Sequence, residues 1–296
     1  MSHPSDMTAP LRFLIAENEP PQARAKRRES VGRSSGETYL AVLKVLAPTA
    51  HCDRIKPADV GSALPSGAAL AGYDGVFLTG SPLHLYQETA ETRREVGFMR
   101  AVFESGTPAF GSCAGLQVAT VAAGGSVRRN ANGREAAFAR RITPTEAGRS
   151  HPLLDGRPAA FDAPAVHTDE VETLPAGASL LASNRVTGVQ AADIRFGPDG
   201  VFWGVQYHPE LGLDEVAAAL RRQAEDLIED GLARSHADVA AYAEEIESLH
   251  LNPERRDLAW RLGLDEQVTN QDERQTELRN FIGHLVKPRR SERGRA

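Results

Sequence analysis

Few residues in this chain could carry covalent chemistry, and one of them sits in an informative setting. Of the two cysteines, Cys52 and Cys113, only Cys113 is flanked by small residues in the run Gly111-Ser112-Cys113-Ala114-Gly115. That Gly-x-nucleophile-x-Gly form suits a sharp strand-to-helix turn, which strains the central residue and needs small neighbours to avoid clashes. A thiol there stands at a helix N-terminus, where unpaired N–H groups and the helix dipole favour the thiolate. The plain alternative is a small core residue between a strand and a helix. A thiolate attacking an amide also needs an acid for the departing nitrogen, and His208 is a candidate for that role. In an extended segment Glu210 leaves the same side as His208 and could fix the imidazole's tautomer and orientation. Taken alone, His208-Pro209-Glu210 reads equally well as a loop end.

These residues need elements to hold them. Leu11 to Ala16 is a short apolar run suited to a buried parallel strand, as is Gly75 to Leu78, which ends at Thr79-Gly80-Ser81-Pro82. Pro20 to Gly36 carries Arg24, Lys26, Arg27, Arg28 and Arg33 among Pro and Gly and is expected to be a loop. Glu37 to Leu46 and Thr89 to Glu104 have helical spacing. Pro108 to Phe110 should run as a strand into the Cys113 turn, and Leu116 to Ala123 should follow as a helix. From Ser126 to Gly200 the pieces are short and punctuated, as added antiparallel strands would be. Val201 to Tyr207 is a strand candidate that Pro209 terminates. Beyond Leu213 the spacing is helical, with Leu213, Val216, Leu220, Leu227, Ile228 and Leu232 as an apolar stripe.

The expected fold is therefore α/β, an open and mostly parallel sheet with helices on both faces, plus a helical C-terminal extension. The expected boundaries are a flexible N-terminus at 1–10, a catalytic domain at 11–211, the helical extension at 212–286 and a frayed basic tail at 287–296. In such sheets ligands bind off the carboxyl ends of the strands, and Gly80, Cys113 and His208 all follow expected strands.

Composition narrows the function classes. With 34 basic against 40 acidic side chains the net charge is -6, so no cationic field draws the chain onto nucleic acid or an anionic membrane. The opening MSHPSDMTAP has no leader pattern and no long apolar run occurs, which gives the expectation of a soluble cytoplasmic protein. Two cysteines make no disulfide framework or zinc pattern. There is no His-Glu-x-x-His pair, phosphate loop or dinucleotide fingerprint, so no cofactor or metal is expected.

Set in order, LTGSP at Leu78 to Pro82, GSCAGLQ at Gly111 to Gln117 and GVQYHPE at Gly204 to Glu210 resemble the class I (triad) glutamine amidotransferases, particularly the glutaminase part of GMP synthase and its stand-alone relatives. VHTDEVETLP at Val166 to Pro175 adds to the likeness, which covers about residues 11 to 211. The resemblance implies Cys113 as nucleophile forming a γ-glutamyl thioester, His208 as acid and base, and Glu210 as its orienter. It implies an oxyanion hole from the backbone N–H groups of Ser81 and Ala114, and substrate contacts at Gly80 and Gln117. Where many relatives have Gly-Gly-Pro this chain has Gly80-Ser81-Pro82, and His84 and Tyr86 just beyond could line the substrate site or lie in an exposed loop. His167 and Asp169 read best as a structural hydrogen-bonding pair.

The implied activity is hydrolysis of a γ-glutamyl amide, with a small-molecule substrate as the main partner. An N-substituted amide is favoured over glutamine. The basic Pro20 to Gly36 segment should sit beside the leaving group, no nucleotide-binding motif for a synthase is present, and the altered turn offers surface for something larger than ammonia. The alternatives are a glutaminase subunit passing ammonia to a partner synthase, and a catalytically silent binding module on the same fold. Self-association as a homo-oligomer is compatible with either.

Overall fold

A computed structural model describes residues 9–294, so most of the expected flexible N-terminus lies outside the described residues. The first half alternates strands and helices in this order: β1 (Arg12–Ala16), α1 (Pro21–Val31), α2 (Ser35–Leu46), β2 (His51–Ile55), α3 (Gly67–Ala71), β3 (Gly75–Leu78), α4 (Ala90–Glu104), β4 (Ala109–Ser112) and α5 (Ala114–Ala122). An antiparallel excursion follows through β5 (Ser126–Arg129), β6 (Glu135–Pro144), the short α6 (Glu146–Arg149), β7 (Phe161–His167), β8 (Asp169–Thr173), β9 (Ala178–Ser183) and β10 (Ala191–Phe196). It returns as β11 (Gly200–Val205).

The main sheet runs β2-β1-β3-β4-β11-β10-β9-β6-β7, and β5 and β8 form a separate pair. Its first five strands are parallel neighbours; from β10 onward the pairing is antiparallel. Parallel strands must be covered on both faces because both are apolar. One face packs Phe13, Ile15, Phe77, Phe110 and Trp203 against Tyr39 of α2. The other packs Leu14, Val76, Leu78 and Phe202 against Met99 of α4 and Leu116 of α5. Within α4, Glu95 is buried with neither carboxylate oxygen partnered among the described residues, and burial pushes its carboxyl well above the usual range.

The structure departs from the sequence reading at four places. The segment Pro20 to Gly36 is not a loop: Pro21 to Val31 is helix α1, which Gly32 ends in a left-handed conformation at φ 79°. Its buried residues are Arg24 and Arg27, so charge pairing docks it; Arg24 forks onto Asp59 at 2.9 and 2.8 Å. Strand β2 is an addition. Third, Leu232 leaves the expected stripe and is 56% exposed. Leu213, Val216, Leu220 and Leu227 of that stripe pack α7 (Leu213–Arg222) and α8 (Ala224–Glu229) against α9 (His236–Leu251) and α10 (Arg256–Leu262), while Ile228 stays outside this cluster.

Fourth, the described part of the basic tail, residues 287–294, is largely helical and not frayed. Helix Thr276–Asn280 continues through a π-helical segment, Phe281–Val286, into helix Lys287–Glu292. Phe281 places its ring 5.3 Å from Phe77 and 5.6 Å from Phe110, so the last helices cover the face that α2 leaves open. Arg290 pairs with Asp74 at 3.6 Å.

Candidate active site

The turn between β4 and α5 puts Cys113 at φ 53° and ψ -112°, strained for any residue with a side chain. Gly115 lets α5 approach β3: a Cβ there would lie 2.7 Å from the Leu78 carbonyl oxygen. The parallel register Gly204↔Gly111 and Val205↔Ser112 then sets β11 beside the turn, and the Cys113 N–H donates to the Val205 carbonyl at 2.8 Å. His208 follows β11, and its own N–H donates to Pro164 of β7 at 2.7 Å. Two neighbouring strands far apart in sequence thus deliver thiol and imidazole to one point at the sheet's carboxyl edge.

The Glu210 Oε1 accepts from His208 Nδ1 at 2.7 Å, which leaves Nε2 for the thiol. Burial alone would lower the imidazole pKa, but Glu210 and Cys113 raise it to about 10. The imidazolium is therefore the resting form at neutral pH. Glu210 has further support that the sequence did not suggest: Ser112 Oγ donates to the same Oε1 at 2.9 Å, and Tyr39 OH lies 2.7 Å from Ser112 Oγ. With the Ser112 proton committed to Glu210, Tyr39 is the donor. Burial and the Glu210 charge push its phenol well above the usual pKa and keep that proton on.

The Ser81 amide donates to no acceptor among the described residues, and Ala114, first in α5, has no preceding helical turn to take its N–H. Thr79 Oγ1, which accepts from the Asn18 N–H at 3.0 Å, donates to the Gly80 carbonyl at 3.0 Å and fixes this turn. A Cβ on Gly80 would fall 2.8 Å from His208 Cε1, so only glycine fits.

Cys113, His208, Glu210, Gly80 and Ser81 line a cavity of about 530 Å³. Further lining comes from α1, through Gln22, Lys26 and Arg27, from the end of α7, through Arg222 and Gln223, and from Asp226 of α8. The basic segment does flank the site, though as a helix. The helices after Leu213 also shape the cavity. A second cavity of about 590 Å³ lies between β6 and α7–α9, lined by Phe138, Leu220, Val239 and Tyr242, and holds no nucleophile.

The family model described as glutamine amidotransferase class-I matches residues 51–224. The chain belongs to the class-I glutamine amidotransferase family. Among curated relatives of this amidotransferase-family chain, a gamma-glutamyl-L-1-hydroxyisopropylamide hydrolase of a Pseudomonas species is 37% identical over 94% of each chain. A glutamine-hydrolysing GMP synthase component from Methanoculleus marisnigri is 32% identical over 51% of this chain and 73% of its own. A solved glutamine amidotransferase from Thermotoga maritima shares the fold at a TM-score of 0.62 and 17% identity, covering 94% of this chain and 98% of its own. One from Methylobacillus flagellatus does so at 0.56 and 16%, covering 93% and 95%.

Other residues singled out in this amidotransferase-family sequence are not among those that line the cavity. Gln117 is buried, with Nε2 donating to the Asp169 carbonyl at 3.2 Å and to Gln206 Oε1 at 3.1 Å. His84 Nδ1 meets Asp169 Oδ2 at 2.6 Å, and Tyr86 stacks on His84 at 5.3 Å. His167 bridges the Asp169 carbonyl at 2.9 Å and Glu135 at 3.0 Å, a structural role. Among the described residues no cluster of His, Cys, Asp and Glu could hold a metal ion, and no helix is long and apolar enough to cross a membrane.

Because Glu210 raises the imidazole pKa, Glu210→Gln should bring the His208 titration midpoint below about 10 in ring NMR. It should also lower activity less than His208→Ala, which removes the imidazole altogether. An unmoved midpoint would assign the raised pKa to Cys113 alone.

Proposed function

We propose that this chain hydrolyses N-substituted γ-glutamyl amides to glutamate and a free amine, through a thioester on Cys113. The thiolate attacks the γ-carbonyl carbon, and the Ser81 and Ala114 amides hold the oxyanion, each worth roughly 3 kcal/mol because its charge exists only in the transition state. The His208 imidazolium gives its proton to the amide nitrogen, the C–N bond breaks and the amine departs. Water then enters, His208 takes its proton, and attack on the thioester releases glutamate and restores the thiolate. Glu210 keeps the His208 ring aligned in both steps.

The observation that carries the choice of substrate is the extent of the likeness to the γ-glutamyl amide hydrolase. That match spans 94% of this chain, whereas the GMP synthase relatives match 46–51% of it. A cavity of about 530 Å³ with a helical wall also supports a leaving group larger than ammonia. The second reading is a glutaminase subunit that passes ammonia to a synthase, which the GMP synthase relatives favour. Comparing kcat/KM for glutamine with that for N-alkyl and N-hydroxyalkyl γ-glutamyl amides separates the two, since the ratio reports differential transition-state binding. The substituted amides should win by tenfold or more; a tenfold preference for glutamine, or strong stimulation by a synthase, would give the site to ammonia delivery.

A further inference from the structure

Helix α2 makes hydrogen bonds to both halves of the catalytic machinery. It is a stiff support: the Ser34–Glu37 capping box fixes its start, and Tyr39, Val42 and Leu43 join the core. Ser35 and Tyr39 lie one turn apart on the same face of α2. Ser35 Oγ donates to Thr79 Oγ1, just after β3, at 3.0 Å, and Tyr39 OH donates to Ser112 Oγ of β4 at 2.7 Å. All four side chains are buried.

Thr79 Oγ1 also accepts from the Asn18 N–H and gives its own proton to the Gly80 carbonyl, so its lone pairs and its hydrogen are all committed. The Gly80 carbonyl and the Ser81 N–H belong to one planar trans peptide, in which they point in opposite directions. Pinning the carbonyl therefore aims the amide. At the triad, Ser112 Oγ and His208 Nδ1 both donate to Glu210 Oε1, at 2.9 and 2.7 Å, while Oε2 is buried with no partner among the described residues. The carboxylate is thus held at one oxygen, by the imidazole it must orient and by the hydroxyl that Tyr39 holds. Resting on the hydrolase reading but not on its choice of amine, we propose that Ser35 and Tyr39 are positioning residues with separate tasks. Ser35, through Thr79, aims the Ser81 amide at the oxyanion, and Tyr39, through Ser112, keeps Glu210 aligned with His208.

The leaving group separates the two tasks. Departure of an amine needs the His208 proton, whereas p-nitrophenolate leaves without one, and both reactions pass through the same oxyanion. The measurement is kcat/KM, which covers the steps up to that departure, for the γ-glutamyl amide that the wild type turns over fastest and for the γ-glutamyl p-nitrophenyl ester. Ser35→Ala should lower it roughly tenfold or more with both substrates. Tyr39→Phe should lower it roughly tenfold or more with the amide and less than about threefold with the ester. Wild-type values on both substrates overturn the task of the residue concerned, as do a loss confined to the amide in Ser35→Ala and equal losses in Tyr39→Phe. Alkylation of Cys113 by iodoacetamide forms no oxyanion, so Ser35→Ala should alkylate within about twofold of wild type. A fall there as large as the fall in turnover would leave Ser35 with packing alone.

NMR reads the same contacts without substrate. Ser35→Ala should shift the Ser81 amide resonance and leave the His208 ring protons in place, and Tyr39→Phe should do the reverse. Unmoved resonances overturn the proposal even where hydrolysis stands, and the paired shifts uphold it even where wild type turns over no γ-glutamyl amide.

Discussion

Cys113→Ala keeps the fold and loses amide hydrolysis by on the order of 10⁴-fold or more, the scale on which removal of a covalent nucleophile acts. The substitution takes one atom from a strained turn whose shape is fixed by the glycines and by the Val205 carbonyl, so melting temperature should hold or rise. A glutamine-like electrophile should label Cys113 in the wild type and spare Cys52. The latter sits half-buried on the edge strand β2, where burial and Asp53 raise its thiol pKa and leave little thiolate. Retained turnover in Cys113→Ala, or labelling mainly at Cys52, would end the thioester mechanism.

Glu277→Gln should be the most destabilising change to a single charge. Arg157 forks onto Glu277 through Nε and Nη2, both at 2.7 Å, and both side chains are fully shielded from solvent. Tyr207 OH donates to the same carboxylate at 2.7 Å. Neutralising one partner strands a buried guanidinium, which costs roughly 3–5 kcal/mol. The shift should appear as a lower urea midpoint at constant slope. Tyr207 directly precedes His208, so kcat should fall as well while KM changes little. A midpoint within about 0.5 kcal/mol of wild type would mean that water reaches this pair.

What the sequence made legible is what local pattern governs. Strands β1 and β3 are short apolar runs, α4 carries a helical repeat, and the Cys113 turn announces itself through small residues. The order of motifs then located thiol, imidazole and carboxylate together. Helix α1 escaped because its buried side chains are arginines whose partners, Asp59 and Glu215, lie far along the chain; no apolar repeat marks it. Ser112 read as filler beside the nucleophile and Tyr39 as a helix residue, and nothing local to either reveals that they meet behind Glu210. Leu232 fits the stripe by count alone: α8 ends at Glu229, and Gly231, at φ 72°, turns the chain away before Leu232 can follow.

The place of β11 in the sheet sets a timetable for biosynthesis. It lies between β4 and β10, so the parallel half cannot meet the antiparallel half until the chain beyond residue 200 has been made. Contacts of such wide separation form late and slowly because loop closure must precede their reward. A nascent chain that already displays Cys113 therefore lacks its imidazole, and the Glu277 clamp on Tyr207 arrives later still. A growing polypeptide on the ribosome thus displays the thiol before its imidazole, and turnover must wait at least until β11 has entered the sheet.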